Sequence, residues 1–258
     1  MPEIPDVEVF SKNLDKFLAG RKLIKIKVVN GKKLPDTAKA LSKNLEGKIL
    51  KRIYRSGKEF RFEFEDGTLL GLHLMLTGDM FLFSENNDHH STIVELHFEG
   101  NKNLALTDRM RNAYIKLNPV DKDGVDAMEL DFKYLKKIFN RKTTIKNILL
   151  DQDLIRGIGN GYSDEILWEA RISPYSIASA IPDEKIKELV KIIPAELKAA
   201  AKKIDKAYPG RINDEVKEFL KIHRKVNEKS PTGHPIHIDT KGSRKTYYTD
   251  EQVLYAER

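Results

Sequence analysis

The first eight residues, Met-Pro-Glu-Ile-Pro-Asp-Val-Glu, put a proline beside the carboxylates of Glu3 and Asp6. If Met1 is removed, Pro2 carries a free secondary amine. An α-amino group has a reference pKa of about 7.7 to 8.0, so part of it is unprotonated and nucleophilic near neutral pH. Attack on an aldehyde-like carbon gives an iminium ion, which promotes elimination at the neighbouring carbon. These residues alone leave open a second interpretation, in which the prolines only stiffen the terminus.

Composition favours an intracellular protein with a polyanionic partner. The chain has 258 residues, and its 46 Lys and Arg against 39 Asp and Glu give a formal charge of +7. This balance favours a polyanion, although a solvated basic surface is the alternative. Cys is absent, which excludes disulfides and thiolate metal sites and agrees with a reducing cytoplasm. No apolar run has the length of a membrane span, and the acidic N-terminus is unlike a signal peptide.

The first half of the chain alternates apolar and polar residues in short runs. An amphipathic helix is predicted over 9–18, ending near Gly20. Ile24, Ile26 and Val28 alternate with lysines, which predicts a strand. Further strands are expected at 60–65, 68–74, 79–84, 92–98 and 103–107, with a hairpin signal at Asp66-Gly67. Many short strands and few helices predict an antiparallel β-sandwich domain over 1–118.

The second half predicts helices. Residues 119–130 have little periodicity and are expected to form an interdomain linker. A helical domain is expected over 131–220, with helices at 131–139, 143–153, 160–170, 183–191 and 193–206, the last two separated by Pro194. Gly-rich turns and short β-prone runs at 235–239 and 245–248 predict a β-hairpin within 221–258. The predicted fold class is therefore α+β.

A glycine-rich turn, Gly157-Ile158-Gly159-Asn160, joins two of these helices. No strand is predicted before it, so a dinucleotide-binding fingerprint is not expected. Such a turn brings backbone amides close to a phosphate, with Asn160 as a side-chain donor and Lys146 as a charge. A glycine-rich helix C-cap between packed helices is the structural alternative.

Taken together, the segments PEIPDVE and GIGNGYSDE and the lysine of RSGKEF resemble the formamidopyrimidine-DNA glycosylase and endonuclease VIII family over nearly the whole chain. The resemblance implies a two-domain base-excision enzyme with a helix–two-turn–helix (H2TH) motif. Such an enzyme removes oxidised bases and then cuts the abasic strand by β- and δ-elimination. We expect no cofactor, a partner of double-stranded DNA with damaged bases or abasic sites, a monomer, and a place in the bacterial cytoplasm at the nucleoid.

The resemblance also implies roles for single residues. Pro2 matches the Schiff-base nucleophile and Glu3 the catalytic acid and base. Asp6 stands where the family usually has Glu, and Lys58 matches a lysine between two strands that reaches the DNA near the lesion. The positions expected to contact phosphates are His73, Lys146, Asn160 and Arg244. A guanidinium suits this task because it is always charged and binds phosphate in a bidentate way.

The tail departs from the family pattern. Many members end in a finger whose four cysteines bind Zn²⁺. Here those positions fall on Lys229, Thr232, Thr249 and Gln252. His234 and His237 cannot by themselves replace a four-ligand site. We therefore expect a zincless finger over 221–258 with no metal, a β-hairpin held by packing of Tyr247, Tyr248 and their neighbours.

The residues that fill the space left by an everted base depart as well. Leu76, in HLMLTG, occupies the wedge position. The family's Arg and Phe positions fall on Met110 and Asn112, unless Arg109 or Arg111 substitutes through a local shift. The segment 208–213 is also shorter than the loop that covers an everted 8-oxoguanine. These departures favour an altered lesion spectrum.

Two other functions remain open at this level. The altered Asp6, Met110 and Asn112 are also expected of a non-catalytic protein that binds damaged or abasic DNA and has lost the chemistry. RNA binding through an H2TH motif, as in a small-subunit ribosomal protein, explains residues 143–174 but neither Pro2-Glu3 nor the predicted sandwich.

Overall fold

The computed structural model describes residues 1–242 and 244–256. It divides into two compact units. The first contains Met1–Asp121 and Ile204–Glu215, and the second contains Lys122–Lys203 and Val216–Arg258. In the described part of the chain, no helix combines the length and the apolar character that crossing a membrane requires.

Helix α1 spans Ile4–Leu18 and so begins five residues earlier than predicted. Its start is a capping box in which the Glu3 side chain accepts from the Asp6 backbone N–H, while the Asp6 side chain accepts from the Glu3 backbone N–H. Pro5 lies in the first turn, where its missing N–H costs nothing. The prediction missed this turn because its polar residues serve as caps.

The first unit contains two four-stranded antiparallel sheets, as predicted for the β part of the fold. In spatial order, one sheet consists of β1 (Leu23–Val28), β6 (Thr92–Phe98), β7 (Lys102–Asp108) and β5 (Gly78–Phe83). The other consists of β2 (Leu50–Ser56), β3 (Glu59–Phe64), β4 (Leu69–His73) and β8 (Tyr114–Leu117). Phe60, Phe62 and Phe64 are fully buried, as their alternation indicates.

Two features of this unit differ from the sequence-based expectation. The register between β1 and β6 shifts between Leu23 and Lys25, so Leu23 and Ile26 are buried while Ile24 is exposed. The predicted single face of Ile24, Ile26 and Val28 is therefore wrong. Helix α2 (Ala38–Leu45) was not predicted, because it is only eight residues long and buries just two apolar side chains, Leu41 and Leu45.

The second unit is mainly helical. Its helices are α3 (Phe132–Phe139), α4 (Ile145–Leu150), α5 (Asn160–Glu169) and α6 (Asp183–Ala207), whose last turn belongs to the first unit, with a 3₁₀ turn at Ala178–Ala180. The predicted break at Pro194 is wrong, since α6 continues through it. A proline removes one backbone hydrogen bond from a helix. Here the apolar face continues across it, with buried Leu189, Ile193, Leu197 and Ile204.

Short strands complete the second unit. Two residues of the predicted linker form β9 (Val125–Asp126), which pairs in parallel with β10 (Ile155–Arg156). Strands β11 (His237–Lys241) and β12 (Arg244–Tyr248) form an antiparallel hairpin close to the two predicted β-prone runs. Tyr247 anchors the hairpin in a small core with Trp168 and Ile222.

Candidate functional site

The N-terminus of α1 gathers carboxylates around the first residues. Pro2 is buried, and Glu3 and Asp6 are 5% and 1% exposed. The capping box holds both acidic side chains at the end of the helix, with 3.4 Å between the Glu3 backbone N and Asp6 Oδ2. A helix N-terminus carries partial positive charge, which attracts carboxylates to this position. The structure thus brings together the three N-terminal residues predicted from the sequence.

A further carboxylate at this place was not predicted. The Met1 ammonium donates to Glu215 Oε2 at 2.9 Å. Glu215 ends the segment 204–215, which belongs to the first unit. The two residues are 214 positions apart, so no local sequence pattern relates them.

Lys58 lies in the two-residue turn between β2 and β3, as expected from the resemblance. On the neighbouring strand, Arg61 is buried and donates to Glu59 and to Asp121, with 2.8 Å to Asp121 Oδ1. Tyr114 donates to Glu59 at 3.4 Å. Burial, followed by the charge of Glu59, raises the pKa of Tyr114 to about 12. Its phenol therefore stays protonated at neutral pH.

His73 stacks on Tyr114, with 5.7 Å between the ring centroids and 11° between the planes. The Met75 backbone N–H donates to His73 Nδ1 at 2.8 Å. A neutral imidazole that accepts at Nδ1 carries its proton on Nε2. The ring is thereby oriented as an Nε2–H donor, which is what a phosphate contact requires.

The predicted wedge residues lie on two loops joined by Asp108. Leu76 and Met110 are exposed by 66% and 52%. Between them, the Thr77 hydroxyl donates to Asp108 Oδ1 at 2.5 Å, and Asp108 also accepts backbone N–H groups of residues 110, 112 and 113. Burial opposes these bonds, but the net effect lowers the pKa of Asp108. Two exposed apolar side chains are therefore held on rigidly tied loops.

The other residues of the second loop are engaged within the first unit. Asn112 Oδ1 accepts from Lys33 Nζ at 2.7 Å. Arg111 has a left-handed backbone conformation with φ of 55°. Its guanidinium lies 3.2 Å from the side-chain oxygen of Asn30 when that amide is turned to present the oxygen. Arg111 thus has a hydrogen-bond partner within its own unit. To replace the expected wedge arginine, its guanidinium would have to leave Asn30.

In the second unit, the glycine-rich turn and the hairpin are hydrogen bonded to each other. Asn160 Nδ2 donates to the Lys245 carbonyl at 2.8 Å. Lys146 is 6% exposed, and its ammonium donates to Asp164 at 2.6 Å and to the Thr246 hydroxyl at 2.9 Å. These contacts give Lys146 and Asn160 a structural place between α4, α5 and β12. The predicted phosphate contacts of both residues stay predictions.

Arg244 is the first residue of β12 and is exposed. It borders a pocket of about 190 Å³ within the second unit, together with Thr144, Lys146, Asn147 and Tyr175. A pocket with an exposed guanidinium at its rim suits an anion. The pocket beside Arg244 has room for the phosphate that this residue is predicted to contact.

The hairpin is joined to the helices through the carboxylate of Glu251. It accepts hydrogen bonds and one ion pair from Trp168 Nε1 (3.1 Å), Ser230 Oγ (3.2 Å), Thr232 Oγ1 (2.7 Å), Thr249 Oγ1 (3.1 Å) and Arg171 (3.0 Å). Burial raises the pKa of Glu251, but these donors outweigh it and lower the pKa to about 2. Thr232 and Thr249 stand at two of the four positions where the resemblance expects cysteine. They share a carboxylate as their common acceptor.

The two remaining cysteine positions have other surroundings. Gln252 is bonded to the backbone at both ends of its amide, accepting from Thr249 N–H and donating to the Ile172 carbonyl, each at 2.8 Å. Lys229 pairs with Pro235 in an isolated β-bridge. His237 lies 3.1 Å from Asp250. Over residues 1–242 and 244–256, no group of three or more His, Cys, Asp or Glu side chains could hold a metal ion.

Each of the two units matches a known protein family. Residues 1–115 match the family model of the formamidopyrimidine-DNA glycosylase N-terminal domain, and residues 124–208 match that of the H2TH domain. A formamidopyrimidine-DNA glycosylase of Ligilactobacillus salivarius is 31% identical over 216 residues, covering 78% of this chain and 77% of the relative. One of Streptococcus agalactiae is 25% identical over 251 residues, covering 90% and 91%.

Solved structures agree. MutM in complex with DNA containing carbocyclic 8-oxo-G is 26% identical, with a TM-score of 0.85 over 97% of this chain and 99% of that one. The wild-type Lactococcus lactis Fpg, in complex with DNA containing an oxidised pyrimidine, is 25% identical with a TM-score of 0.85 and the same coverage.

The antiparallel sheets, the H2TH turn and these matches define the class of protein, a DNA glycosylase of base excision repair. More narrowly, the chain belongs to the formamidopyrimidine-DNA glycosylase family. Members of that family are DNA glycosylases with abasic-site lyase activity.

Proposed function

We propose that this chain excises oxidised bases from double-stranded DNA and cuts the resulting abasic strand, with Pro2 as the Schiff-base nucleophile. The observation that carries the proposal is the buried Pro2 beside the carboxylates of Glu3 and Asp6 at the start of α1. The proposal requires removal of Met1, because the Pro2 nitrogen is otherwise an amide without a lone pair for attack. The relatives crystallised with 8-oxo-G and oxidised-pyrimidine DNA support this substrate class.

The chemistry follows from a secondary amine beside carboxylates. The Pro2 nitrogen attacks C1′ of the damaged nucleotide, and the base leaves with the glycosidic electron pair. Glu3 moves the protons. The sugar ring then opens: the C1′–O4′ bond breaks, its electron pair and a proton go to O4′, and the nitrogen lone pair forms the iminium double bond to C1′. The iminium ion acidifies the C2′ proton, so the 3′ phosphate and then the 5′ phosphate are eliminated. The product is a gapped strand, and the residues of the chain need no cofactor for any of these steps.

Other residues of the chain have roles in holding DNA. Lys58 approaches the lesion from the β2–β3 turn, while His73, Lys146, Asn160 and Arg244 are the proposed phosphate contacts. Leu76 and Met110 enter the base stack where the damaged nucleotide leaves it, since apolar wedges stabilise such openings. Met110 stands at the arginine position of the family pattern and the segment 208–213 is short, so we propose a lesion spectrum other than that of the standard 8-oxoguanine enzyme.

The organisation proposed with this function has a catalytic domain over 1–118, a linker over 119–130, an H2TH domain over 131–220 and a zincless finger over 221–258. In the finger, Glu251 replaces a metal ion as the common acceptor of the loop side chains. We propose a monomer in the bacterial cytoplasm, associated with the nucleoid.

Borohydride trapping tests the proposal. Intact mass first establishes that Met1 is absent, and duplexes with an abasic site, 8-oxoguanine or an oxidised pyrimidine are then reduced in the presence of the protein. We expect a covalent adduct that peptide mapping locates at Pro2, a reduced yield with Pro2→Ala, and an unchanged yield with Pro5→Ala as the matched control. An adduct on another residue, or an equal yield with Pro2→Ala, contradicts the assignment.

One observation favours a second function. The Met1 ammonium has a carboxylate partner, Glu215, which would also stabilise an unprocessed terminus. A protein that keeps Met1 is a binder of damaged or abasic DNA without chemistry. Intact mass showing Met1, together with tight binding to abasic DNA and no strand scission, would establish this alternative.

A further inference from the structure

The carboxylate of Glu215 is held at the first nitrogen of the chain. Its Oε2 lies 2.9 Å from the Met1 nitrogen, and the two side chains are 20% and 28% exposed. The contact is therefore partly shielded from water, where a charge-assisted hydrogen bond is stronger than on an open surface.

Contacts within the first unit fix the segment that carries this carboxylate. Asn13 Nδ2 on α1 donates to the Arg211 carbonyl at 2.8 Å. The Asp214 backbone N–H donates to Asp79 on β5 at 3.3 Å. Asp214 itself has a φ of 58°, an uncommon conformation for a residue other than glycine, which sets the direction of the chain into Glu215. Two separate elements thus tie down the residues just before Glu215.

Glu3 and Asp6 are committed differently. Each accepts a backbone N–H of the other in the capping box, so both belong to the structure of the helix end. Glu215 lies outside the helix and contacts the chain terminus. Glu3 and Asp6 therefore cap α1 in addition to lying beside Pro2, whereas Glu215 reaches the chain terminus from a separate segment.

We propose that Glu215 is the proton acceptor of the N-terminal amine in the processed enzyme. The Glu215 carboxylate lies 2.9 Å from the Met1 nitrogen, and standard bond lengths separate consecutive backbone nitrogens by about 3 to 4 Å, so the carboxylate is within about 7 Å of the Pro2 nitrogen. In the proposal, rotation of the glutamate side chain closes this gap once Met1 is removed. The inference rests on the proposed function, since it concerns the same Schiff-base chemistry.

The proton transfers balance as follows for an abasic aldehyde. The Pro2 ammonium gives one proton to the Glu215 carboxylate, which frees the nitrogen lone pair. That lone pair forms the bond to C1′, and the second N–H proton moves to the former carbonyl oxygen to give a carbinolamine. The protonated Glu215 returns its proton to this hydroxyl, which leaves as water, and the nitrogen lone pair forms the iminium double bond.

Glu215→Gln separates this role from a purely electrostatic one. A carboxylate beside an ammonium stabilises the charged form and raises the pKa of the amine. If Glu215 did no more than that, its removal would increase the free amine and speed trapping at neutral pH. As a proton acceptor, its removal slows trapping by about 100-fold, the usual size of such an effect.

The experiment is single-turnover borohydride trapping on abasic duplex DNA at saturating protein, from pH 6 to pH 9. Expected results are slower trapping by E215Q at pH 7, a deficit that shrinks as pH rises because hydroxide then removes the proton, partial recovery in E215D, and unchanged affinity for the DNA. Asp214→Asn is the matched control, because its side chain is exposed and Asn tolerates the same backbone conformation.

Other titratable groups on the elements around the terminus are Glu3 and Asp6 on α1, Asp79 on β5, and Arg211 and Asp214 on the segment itself. All are retained in E215Q, so a changed pH profile reports on Glu215. The melting temperature of each variant is measured as well. If E215Q melts at a lower temperature than wild type, the pH profile of trapping by E215D is used to test the inference instead. Trapping by E215Q as fast as wild type, or faster, overturns the inference alone. Absence of trapping by wild-type protein lacking Met1 overturns the proposed function and this inference together.

Discussion

Two carboxylates, Glu215 in the first unit and Glu251 in the second, each bind groups far away in the sequence, yet their partners differ in kind. Glu251 accepts hydrogen bonds from hydroxyls and an indole and pairs with a guanidinium, while His234 Nε2 lies 3.9 Å away, beyond hydrogen-bond distance. None of these donors titrates near neutral pH. Glu215 accepts from the ammonium at the chain terminus, the position at which the proposed chemistry must remove a proton. The first arrangement is structural, whereas the second is suited to proton transfer.

Burial does not distinguish the two sites. The Glu215 and Glu251 side chains are 20% and 11% exposed, which is similar. What differs is whether the donor keeps its proton under the conditions of function. Variants at the α1 terminus are therefore expected to change rates while leaving stability nearly intact, and variants at the hairpin are expected to do the reverse.

Glu3→Gln gives the largest expected effect. An amide cannot deliver or take up the proton that base excision requires, so excision falls by about 1000-fold. Gln retains an oxygen that accepts the Asp6 backbone N–H, so the helix cap and the melting temperature are nearly unchanged. Single-turnover excision on a lesion duplex, paired with thermal melting, measures both. A large loss of stability would place Glu3 with the structural carboxylates.

Glu251→Ala is expected to destabilise the second unit by about 3 kcal/mol, because it leaves several inward-facing donors without an acceptor. Hydrogen exchange of the hairpin amides and denaturant unfolding report this loss. Asp250→Ala, one residue earlier and 75% exposed, is the matched control and should change little. Equal stability of the two variants would contradict the role given to Glu251.

Much of the fold was predictable because its signals are local. The alternating Phe60, Phe62 and Phe64 indicate a half-buried strand, and the glycines at 157 and 159 mark the turn between α4 and α5. The catalytic roles of Pro2 and Glu3 were predicted from the resemblance to the family. Errors arose where local signals conflict with packing, as at Pro194, where a continuous buried face carries the helix through a residue that usually ends one.

The carboxylate partners could not be predicted in this way. The bonds from Trp168 to Glu251 and from Met1 to Glu215 span 83 and 214 residues, and a lone glutamate in a polar segment looks the same whether it is solvated or bound. Only the three-dimensional path of the chain brings these groups together. The threonines at the expected cysteine positions show the same limit, since the sequence reveals the missing ligands but not their new acceptor.

Acid pH should weaken the hairpin through Glu251. Its folded pKa is lowered to about 2, whereas an unperturbed glutamate has a pKa of about 4.3. A carboxyl group whose pKa is lower in the folded protein than in the unfolded chain stabilises the fold fully at pH values above its unfolded pKa. This stabilisation is lost as the pH falls through its folded pKa. The unfolding free energy of wild type minus that of Glu251→Gln should therefore shrink between about pH 5 and pH 2. A difference that stays constant over this range would show that the ionised carboxylate is not what holds the hairpin.

The smallest expected effect comes from removing one donor and keeping the carboxylate. Thr249 is 1% exposed, and Thr249→Val preserves its shape while deleting the hydroxyl that binds Glu251. Since the other donors remain, the loss should be about 1 kcal/mol, or about 2 to 4 °C in melting temperature. Thr240→Val, at an exposed position of β11, is the control. Borohydride trapping at Pro2 by Thr249→Val should match wild type at saturating protein, because the variant leaves every group around the amine in place.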